Sequence, residues 1–284
     1  MKRRVIGFAL LIVIALSSVV FADQITSEVV VALGKNLSAE QRQQMLNSFG
    51  VDESVRIVEV TNEEERQYLG KHVEEKLLGT RAISSVYVEK LSEGEGITVQ
   101  SNNITWVTND MYRNALITAG VKDANIKVSS PIQVSGTAAL TGVIKAFEDI
   151  TGESISEKEK EIASEEIAKV ATLGDEIGQE KAQELINNVK IYIINNNIKG
   201  KGSIREVVKQ IADDLGIELT DKQMEQIVSL MGRISKLNLN VDQIKQQLKD
   251  ISGKIDQITD QNIEIGSILD RIWNAIIGFF NRFF

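Results

Sequence analysis

The sequence predicts an α+β fold: an N-terminal α/β sandwich-type domain, then an all-helical C-terminal half that ends in a coiled-coil-like or long amphipathic helix. Three observations support this prediction. Short apolar runs alternate with helical patterns up to residue 150, as in α/β and α+β proteins. The strand signals then stop, and four helical patterns follow. Towards the C-terminus, apolar residues recur every 3.5 positions, the repeat of a coiled coil.

The first 22 residues have the pattern of a secretory signal peptide. Lys2, Arg3 and Arg4 form a basic region, and an apolar run follows from Val5 to Leu16. Compact residues then precede a cleavage position after Ala22. An uncleaved membrane anchor is the alternative, but the apolar run is short for a transmembrane helix. We therefore expect an exported chain that is secreted or associated with the cell envelope.

Composition limits the partners and the chemistry of this chain. Removal of the signal peptide would lower the formal net charge from −8 to −11. An acidic chain binds polyanions poorly, so we expect no nucleic-acid partner. The sequence contains no cysteine, which excludes disulfides, thiol catalysis and cysteine-bound zinc.

Strand and helix patterns alternate through residues 23–152, which we predict to form the α/β domain. Runs of apolar or alternating residues indicate strands, and helical spacing after a capping residue indicates helices. The predicted strands are 29–33, 55–60, 83–91, 97–100, 104–108 and 126–130. The predicted helices are 38–49, 63–78 and 109–119. These patterns leave the order of the strands in the sheet undetermined.

Residues 153–237 are predicted to form a helical domain. Its helices are 156–173, 179–197, 203–215 and 221–237, and glycines separate them. Three helix starts in the chain share one pattern, because Ser38, Ser156 and Thr220 each precede a Gln or Glu by three residues. This spacing predicts capping boxes rather than a repeated binding module.

Residues 238–284 are predicted to form a coiled-coil-like amphipathic tail. Counting alternately by three and four from Ile227 to Phe283, sixteen of seventeen positions are apolar, and the exception is Asn262. Such a repeat keeps one apolar seam towards a partner helix. However, residues 238–240 have the pattern of a helix end followed by a new cap, so a folded-back bundle is the alternative to one continuous coil.

The apolar face of the tail widens and becomes aromatic at its end. We interpret this face as a surface for association or membrane contact, formed by Ile265, Leu269, Ile272, Trp273, Ile276, Phe279, Phe280 and Phe283. The opposite side is polar, so the segment does not span a bilayer unaided. Three interpretations stay open: docking onto the protein's own core, insertion into a membrane surface, and self-association or binding of an envelope protein.

The stretch 129–148 resembles a phosphate-binding loop only superficially. It contains Gly136, Gly142 and Lys145, but such a loop requires the lysine directly after its second glycine. We therefore predict that Gly136 allows a turn after a strand. The following residues are predicted to form a helix that packs closely against the sheet.

The remaining polar residues form no recognisable metal or cofactor site. His72 is the one histidine and has no partner motif around it, so we predict a solvated side chain. Residues 63–65 are three glutamates, which we predict to be a solvated helix start. Residues 238–249 resemble a calcium loop at their start, but Lys249 occupies the place of the bidentate glutamate. We expect no cofactor.

Three stretches resemble a known family. They are VVVALGKNLS at 29–38, the block from residue 104 to 148, and LTDKQMEQIVSLM at 219–231 followed by LNLNVDQIKQQL. They are similar to the YpuA-like family of secreted proteins from Gram-positive bacteria, a domain of unknown function. The resemblance covers nearly all of the chain after residue 22. It implies export and an envelope or extracellular location, but no activity and no site residue.

These observations favour a non-enzymatic scaffold or interaction module of the cell envelope. One alternative is a wall-acting enzyme that uses carboxylates, with candidate residues Thr105, Thr108, Asn109, Asp110, Tyr112 and Arg113. Capping of a helix by Thr108 or Asn109 explains part of the same pattern. The other alternative is a membrane-active helical protein.

Overall fold

A computed structural model describes residues 29–239, which contain five strands and nine helices. The strands are β1 (Val29–Gly34), β2 (Arg56–Val60), β3 (Ser85–Lys90), β4 (Ile97–Ile104) and β5 (Ala124–Val134). The helices are α1 (Ala39–Phe49), α2 (Asn62–Leu69), α3 (Glu75–Leu78), α4 (Asn109–Thr118), α5 (Thr137–Thr151), α6 (Glu157–Ile177), α7 (Gln179–Asn195), α8 (Lys201–Asp214) and α9 (Asp221–Ile234). The predicted mixture of α and β structure is therefore confirmed. The predicted signal peptide, almost all of the predicted tail and its eight predicted association residues lie outside the described residues.

The five strands form one mixed sheet in the order β2-β1-β3-β5-β4. β1 pairs in parallel with β2, and β4 in parallel with β5. β3 lies between the two pairs and is antiparallel to both β1 and β5. Each parallel pair is connected through a helix, α1 or α4, because parallel neighbours need a long crossover. The C-terminal helices come after the last strand, as the sequence predicts.

Alternation along β1 gives the sheet two covered faces. Val31 and Leu33 pack against α1 in a small cluster, whereas Val30 and Ala32 belong to the main hydrophobic core. Side chains two residues apart on a strand point to the same face, so a single strand serves both clusters. The short run VVVAL therefore forms a strand that is buried on both sides.

α5 covers the main face of the sheet and approaches it closely at Gly142. A Cβ atom at this position would lie 3.1 Å from Val86 Cγ2 and 3.4 Å from Ala32 Cβ. The glycine therefore allows the helix axis to come near the strands. This arrangement confirms the prediction that the residues after Gly136 form a helix packed on the sheet.

The four C-terminal helices add a further layer over the helices on this face. α6 contacts α4 and α2, α7 and α9 pack on α6, and α8 packs on α7 and α9. One hydrophobic cluster runs without interruption from Val30 in β1 to Ile234 in α9. The start of the apolar repeat, Ile227, Leu230 and Ile234, is buried in this cluster. The proposed domain boundary at residue 152 lies between α5 and α6 and stays a prediction.

The three predicted capping boxes are present. The backbone N–H groups of Gln41, Glu159 and Gln223 donate to the hydroxyls three residues earlier, at 3.2, 3.3 and 3.3 Å. In each case the Gln or Glu side chain accepts a bond from the backbone N–H of the cap residue. The boxes fix the first turns of α1, α6 and α9, which supports the structural interpretation of this pattern.

The prediction of one helix over residues 63–78 was wrong. The chain forms α2 up to Leu69 and the short α3 from Glu75. Between them a turn buries Val73 in the core. Burial of this residue outweighs the helical propensity of the charged sequence around it.

The predicted strand at 104–108 was also wrong. β4 extends to Ile104, after Asn103 adopts a positive φ of 59° and shifts the register. The next residues still hydrogen-bond to the end of β5 and the residue after it. The N–H groups of Thr105 and Val107 donate to the carbonyls of Val134 and Ser135. These two N–H groups are therefore hydrogen-bonded although the segment is not a regular strand.

β5 is longer than predicted and contains Pro131. The last pair between β3 and β5 is Ser85 with Ser129, so the proline lies beyond the paired part of that edge. A proline lacks an N–H and is tolerated where no ladder bond is required. None of the helices between residues 29 and 239 is long and apolar enough to cross a bilayer.

Candidate functional site

A charged cavity of about 230 Å³ lies between α2, α5 and α6. Its lining residues are Glu64, Gln67, Tyr68, Thr141, Ile144, Lys145, Glu148 and Lys160. Positions 141, 144, 145 and 148 share one face of α5, since residues three and four apart on a helix are neighbours. We call this the charged cavity and treat it as the candidate site, because it brings two acidic and two basic side chains together.

Two ion pairs fix the charged groups of this cavity. Lys145 Nζ lies 2.6 Å from Glu64 Oε1 and also donates to the carbonyl of Glu59 at 2.6 Å. Lys160 Nζ lies 3.0 Å from Glu148 Oε1 and 3.1 Å from Glu157 Oε1. Both contacts of Lys145 Nζ are to oxygen atoms of the protein itself.

The ion pairs favour the charged forms of Glu64 and Lys160. Burial opposes ionisation of Glu64, but hydrogen bonds from Lys145 and the backbone of Thr61 lower its pKa below the ordinary value. Burial likewise opposes the charge of Lys160, but its bonds to Glu148 and Glu157 raise its pKa. An ionised carboxylate held by an ammonium group is a poor general acid at neutral pH.

Two uncharged side chains of the cavity remain available to a ligand. Gln67 and Thr141 form no side-chain hydrogen bond with any described residue. Together with the ion pairs, they present donors and acceptors of both signs. The chemistry of this lining suits a small zwitterionic or polar molecule.

Glu65 lies beside this cavity but points into the core, where only 1% of its surface is exposed. Its carboxylate accepts hydrogen bonds from Thr137 Oγ1 at 2.5 Å and from Asn62 Nδ2 at 3.1 Å. Burial raises the pKa of Glu65 to about 6, although these two bonds oppose the shift. The prediction that residues 63–65 are all solvated was therefore wrong for this residue.

The sequence contained a signal that Glu65 is buried. Leu69 is fully buried and lies four residues later, on the same face of α2. A carboxylate on the apolar face of a short helix either pairs with a partner or titrates at an unusual pH. The partner Thr137 belongs to the distant α5, so the sequence alone did not identify it.

The six residues proposed for a carboxylate enzyme do not line the charged cavity. Thr108 caps α4 through Met111 N at 3.2 Å, as the capping interpretation predicts. Arg113 is buried, donates to the carbonyl of Ile97 at 3.1 Å and pairs with Asp110 at 2.5 Å.

Two of the remaining candidates are equally occupied within the protein. Thr105 Oγ1 donates to the carbonyl of Val134 at 3.0 Å. Tyr112 is fully buried, and its hydroxyl donates to the carbonyl of Gly136. Burial raises the pKa of Tyr112. These contacts connect α4 to the ends of β4 and β5 and thus have a structural role.

His72 is not solvated, contrary to the prediction. The side chain is half-buried, and its Nε2 atom is buried without a hydrogen-bond partner among the described residues. Burial lowers the pKa of His72; the charge of Lys169 lowers it further, and the charge of Glu165 opposes both effects more weakly than burial acts. Between residues 29 and 239, no three His, Asp or Glu side chains come together as a metal site.

Comparison with known proteins agrees with the resemblance seen in the sequence. The family described as "Protein of unknown function (DUF1002)" matches residues 33–251. The chain is also 38% identical over 289 residues to the uncharacterized protein YpuA of Bacillus subtilis (strain 168), covering 99% of this chain and 100% of that protein. No solved structure matches the chain. A family match of this extent, together with a full-length relative, places the chain in the DUF1002 family of proteins of unknown function.

Proposed function

We propose that this protein is an exported, non-enzymatic interaction protein of the cell envelope. In this proposal, residues 29–239 form a compact body, and the tail beyond Leu239 binds a partner outside that body. The signal-peptide pattern of residues 1–22 supports export. Residues 263–284, which contain the aromatic face, would make the contact.

One observation carries this proposal: the body covers its own apolar surface. Among its large hydrophobic residues, Ile132 is the exposed one, with 55% of its surface accessible. The chain then continues for 45 residues with a regular apolar repeat. An amphipathic helix is stable when its apolar face is covered, and one exposed isoleucine on the described residues is too little apolar surface for that. This supports a partner outside the body over the alternative of docking onto the protein's own core.

Three partners are compatible with such a face: a second copy of the tail, an envelope protein, and a membrane surface. The 3.5-residue repeat favours helix pairing, whereas the terminal tryptophan and phenylalanines are typical of membrane interfaces. The common requirement of all three is the apolar face itself. A test of the proposal must therefore change that face without changing the body.

The test is a pair of double substitutions in the full chain. Ile272→Asp with Phe279→Asp places two charges on the apolar face, and Asn274→Asp with Asn281→Asp places the same charges on the polar face. We expect the first variant to move from the envelope fraction to the culture medium and the second to behave as the wild type. Equal distribution of both variants and the wild type would contradict the proposal.

A carboxylate enzyme is the second candidate, because the charged cavity is lined by Glu64 and Glu148. A pocket with two acidic groups is a minimal requirement for acid–base hydrolysis. Release of soluble fragments from purified cell walls by the exported protein would support this candidate. Loss of that release in Glu148→Gln would assign it to the cavity, whereas no release by the wild type would remove the candidate.

A further inference from the structure

A second cavity, of about 250 Å³, lies between the start of α8 and the end of α9. Buried Ile204 and Val228 line its interior, and Gly232 leaves space there, since a Cβ atom would meet only Ile204 Cδ1, at 3.9 Å. The cationic residues of its lining are Lys199, Lys201, Arg233 and Lys236. No carboxylate lines it. We call this the basic cavity.

The lysines of the basic cavity have no anionic partner within the body. Arg233 is held by Glu161, at 3.3 Å, and by Glu165. Lys199, Lys201 and Lys236 are exposed and form no ion pair with any described residue. This contrasts with the charged cavity, where both lysines are paired. Three unpaired ammonium groups at one opening, in a chain of net charge −8, form a local surface complementary to an anion.

The basic cavity is adjacent to the point where the tail begins. Lys236 precedes Leu239, the last described residue, by three positions, so the two lie at most about 11 Å apart. This separation is close to the Debye length of roughly 8 Å at physiological ionic strength. A surface that the start of the tail contacts therefore lies near enough to Lys236 to feel part of its charge after screening.

The tail lacks the charge that membrane-binding helices normally carry. Residues 263–284 contain Arg271 and Arg282 against Glu264 and Asp270, and thus have no net charge. Buried apolar area and electrostatic attraction to anionic lipids both strengthen the binding of an amphipathic helix to a bilayer. The tail would supply the first, and the basic cavity would supply the second.

We propose that the basic cavity docks onto an anionic phospholipid bilayer and receives lipid phosphate groups between Lys199, Lys201 and Lys236. Phosphate oxygens would accept hydrogen bonds from the ammonium groups of these three lysines. This inference deepens the proposed function, because it selects a membrane among the partners of the tail. It rests on that proposal for the position of the tail.

The test measures flotation of the exported, mature chain (residues 23–284) with phosphatidylcholine vesicles that contain or lack phosphatidylglycerol. The test variant is Lys199→Gln/Lys201→Gln/Lys236→Gln. The matched control is Lys35→Gln/Lys158→Gln/Lys222→Gln, which removes three exposed lysines elsewhere on the body. We expect phosphatidylglycerol to raise binding of the wild type and the control. In the test variant, the increase in binding caused by phosphatidylglycerol should be about 100-fold smaller than in the wild type, which corresponds to roughly fivefold per lysine.

Binding of all three proteins to neutral vesicles should be equal, because the apolar face of the tail is unchanged. A test variant that keeps the full gain from phosphatidylglycerol would overturn the inference, and so would a wild type that shows no gain. Binding to soluble polyphosphate without binding to vesicles would overturn it as well. In each of these cases the tail substitutions still decide the proposed function separately, through the envelope fraction and the mass of the protein in solution.

Discussion

Glu65 gives the fold a pH dependence that originates in a single carboxyl group. Its pKa is raised to about 6 by burial, compared with 4.5 in an exposed glutamate. The native protein therefore binds a proton between these two values that the unfolded chain releases. The contribution of Glu65 to the free energy of unfolding is therefore greatest below pH 4.5, and it decreases as the pH rises through about 6.

Replacement of this carboxyl group should stabilise the protein at neutral pH. We expect Glu65→Gln to raise the free energy of unfolding by up to about 2 kcal/mol near pH 7.5 and by much less near pH 5. Urea unfolding at both pH values measures the difference. Glu63→Gln is the matched control, because Glu63 is exposed on the same helix. An equal effect of the Glu65 substitution at both pH values would contradict the assigned pKa.

Gly136 connects β5 to α5 in a conformation that only glycine adopts easily. Its φ is 95°, and a Cβ atom would lie 2.4 Å from Ile104 Cγ2 and 2.5 Å from the Tyr112 hydroxyl. Gly152 also has a positive φ, of 70°, but nothing lies within 4 Å of its Cβ position. A comparison of alanine substitutions at these two positions therefore distinguishes the cost of a positive φ from the cost of steric overlap.

We expect Gly152→Ala to lower the free energy of unfolding by about 1 kcal/mol, the strain of the left-handed conformation alone. Gly136→Ala should lower it by a further 1–3 kcal/mol or so, because the methyl group displaces buried neighbours. Thermal and urea unfolding of both variants measure this. Equal losses in the two variants would show that the contacts of Tyr112 and Ile104 do not constrain the turn.

At the scale of elements, a buried ion pair connects three helices. Lys190 of α7 pairs with Glu166 of α6. Lys190 is 3% exposed to solvent, and Glu166 is 1% exposed. Lys190 Nζ also donates to Thr118 Oγ1 at 2.9 Å and to the carbonyl of Asn114 at 3.1 Å, both in α4. Thr118 donates in turn to Glu166 Oε2 at 2.5 Å. The network fixes how the C-terminal helices pack on the helix next to the sheet.

Removal of one partner from this network should be more damaging than removal of both charges. We expect Lys190→Met to lower the free energy of unfolding by about 3–5 kcal/mol, because Glu166 would be left buried without a counter-charge. The double variant Lys190→Met/Glu166→Gln should recover a large part of the loss. Lys209→Met, which breaks an exposed pair with Asp213, is the control and should change stability by less than about 1 kcal/mol. A double variant as unstable as the single one would contradict this account.

The elements that sequence predicts well are those with local causes. Each capping box depends on residues within four positions of each other. Ser38, Ser156 and Thr220 therefore predicted the starts of α1, α6 and α9. The break between α2 and α3 depends on burial of Val73 in the folded core, which no local pattern shows. The prediction therefore failed where tertiary contacts outweigh local preference.

The charged cavity shows the same limit at the level of the site. Helical spacing places Lys145 and Glu148 on one face of α5, but their partners Glu64 and Lys160 come from α2 and α6. Neither pairing is visible before the helices are assembled. The sequence predicted that the residues after Gly136 form a helix packed on the sheet, but it did not predict the cavity.

At the scale of the whole molecule, residues 29–239 form a body with a continuous main hydrophobic core, and we propose that the apolar face of the tail binds a partner outside this body. The body's hydrophobic cluster already contains Ile227, Leu230 and Ile234, the first members of the apolar repeat. The rest of the repeat extends to Phe283. The association residues in 265–283 and the predicted coiled coil stay predictions, because they lie outside the described residues.

Light scattering after size exclusion, with and without phospholipid vesicles, tests this separation most directly. The mature chain should elute as an oligomer or co-elute with vesicles, because either arrangement covers the face formed by residues 265–283. The variant Ile272→Asp/Phe279→Asp should elute as a monomer in both conditions. A wild-type chain that is monomeric, does not bind vesicles and is absent from the envelope fraction would contradict the proposal that the tail binds a partner outside the body.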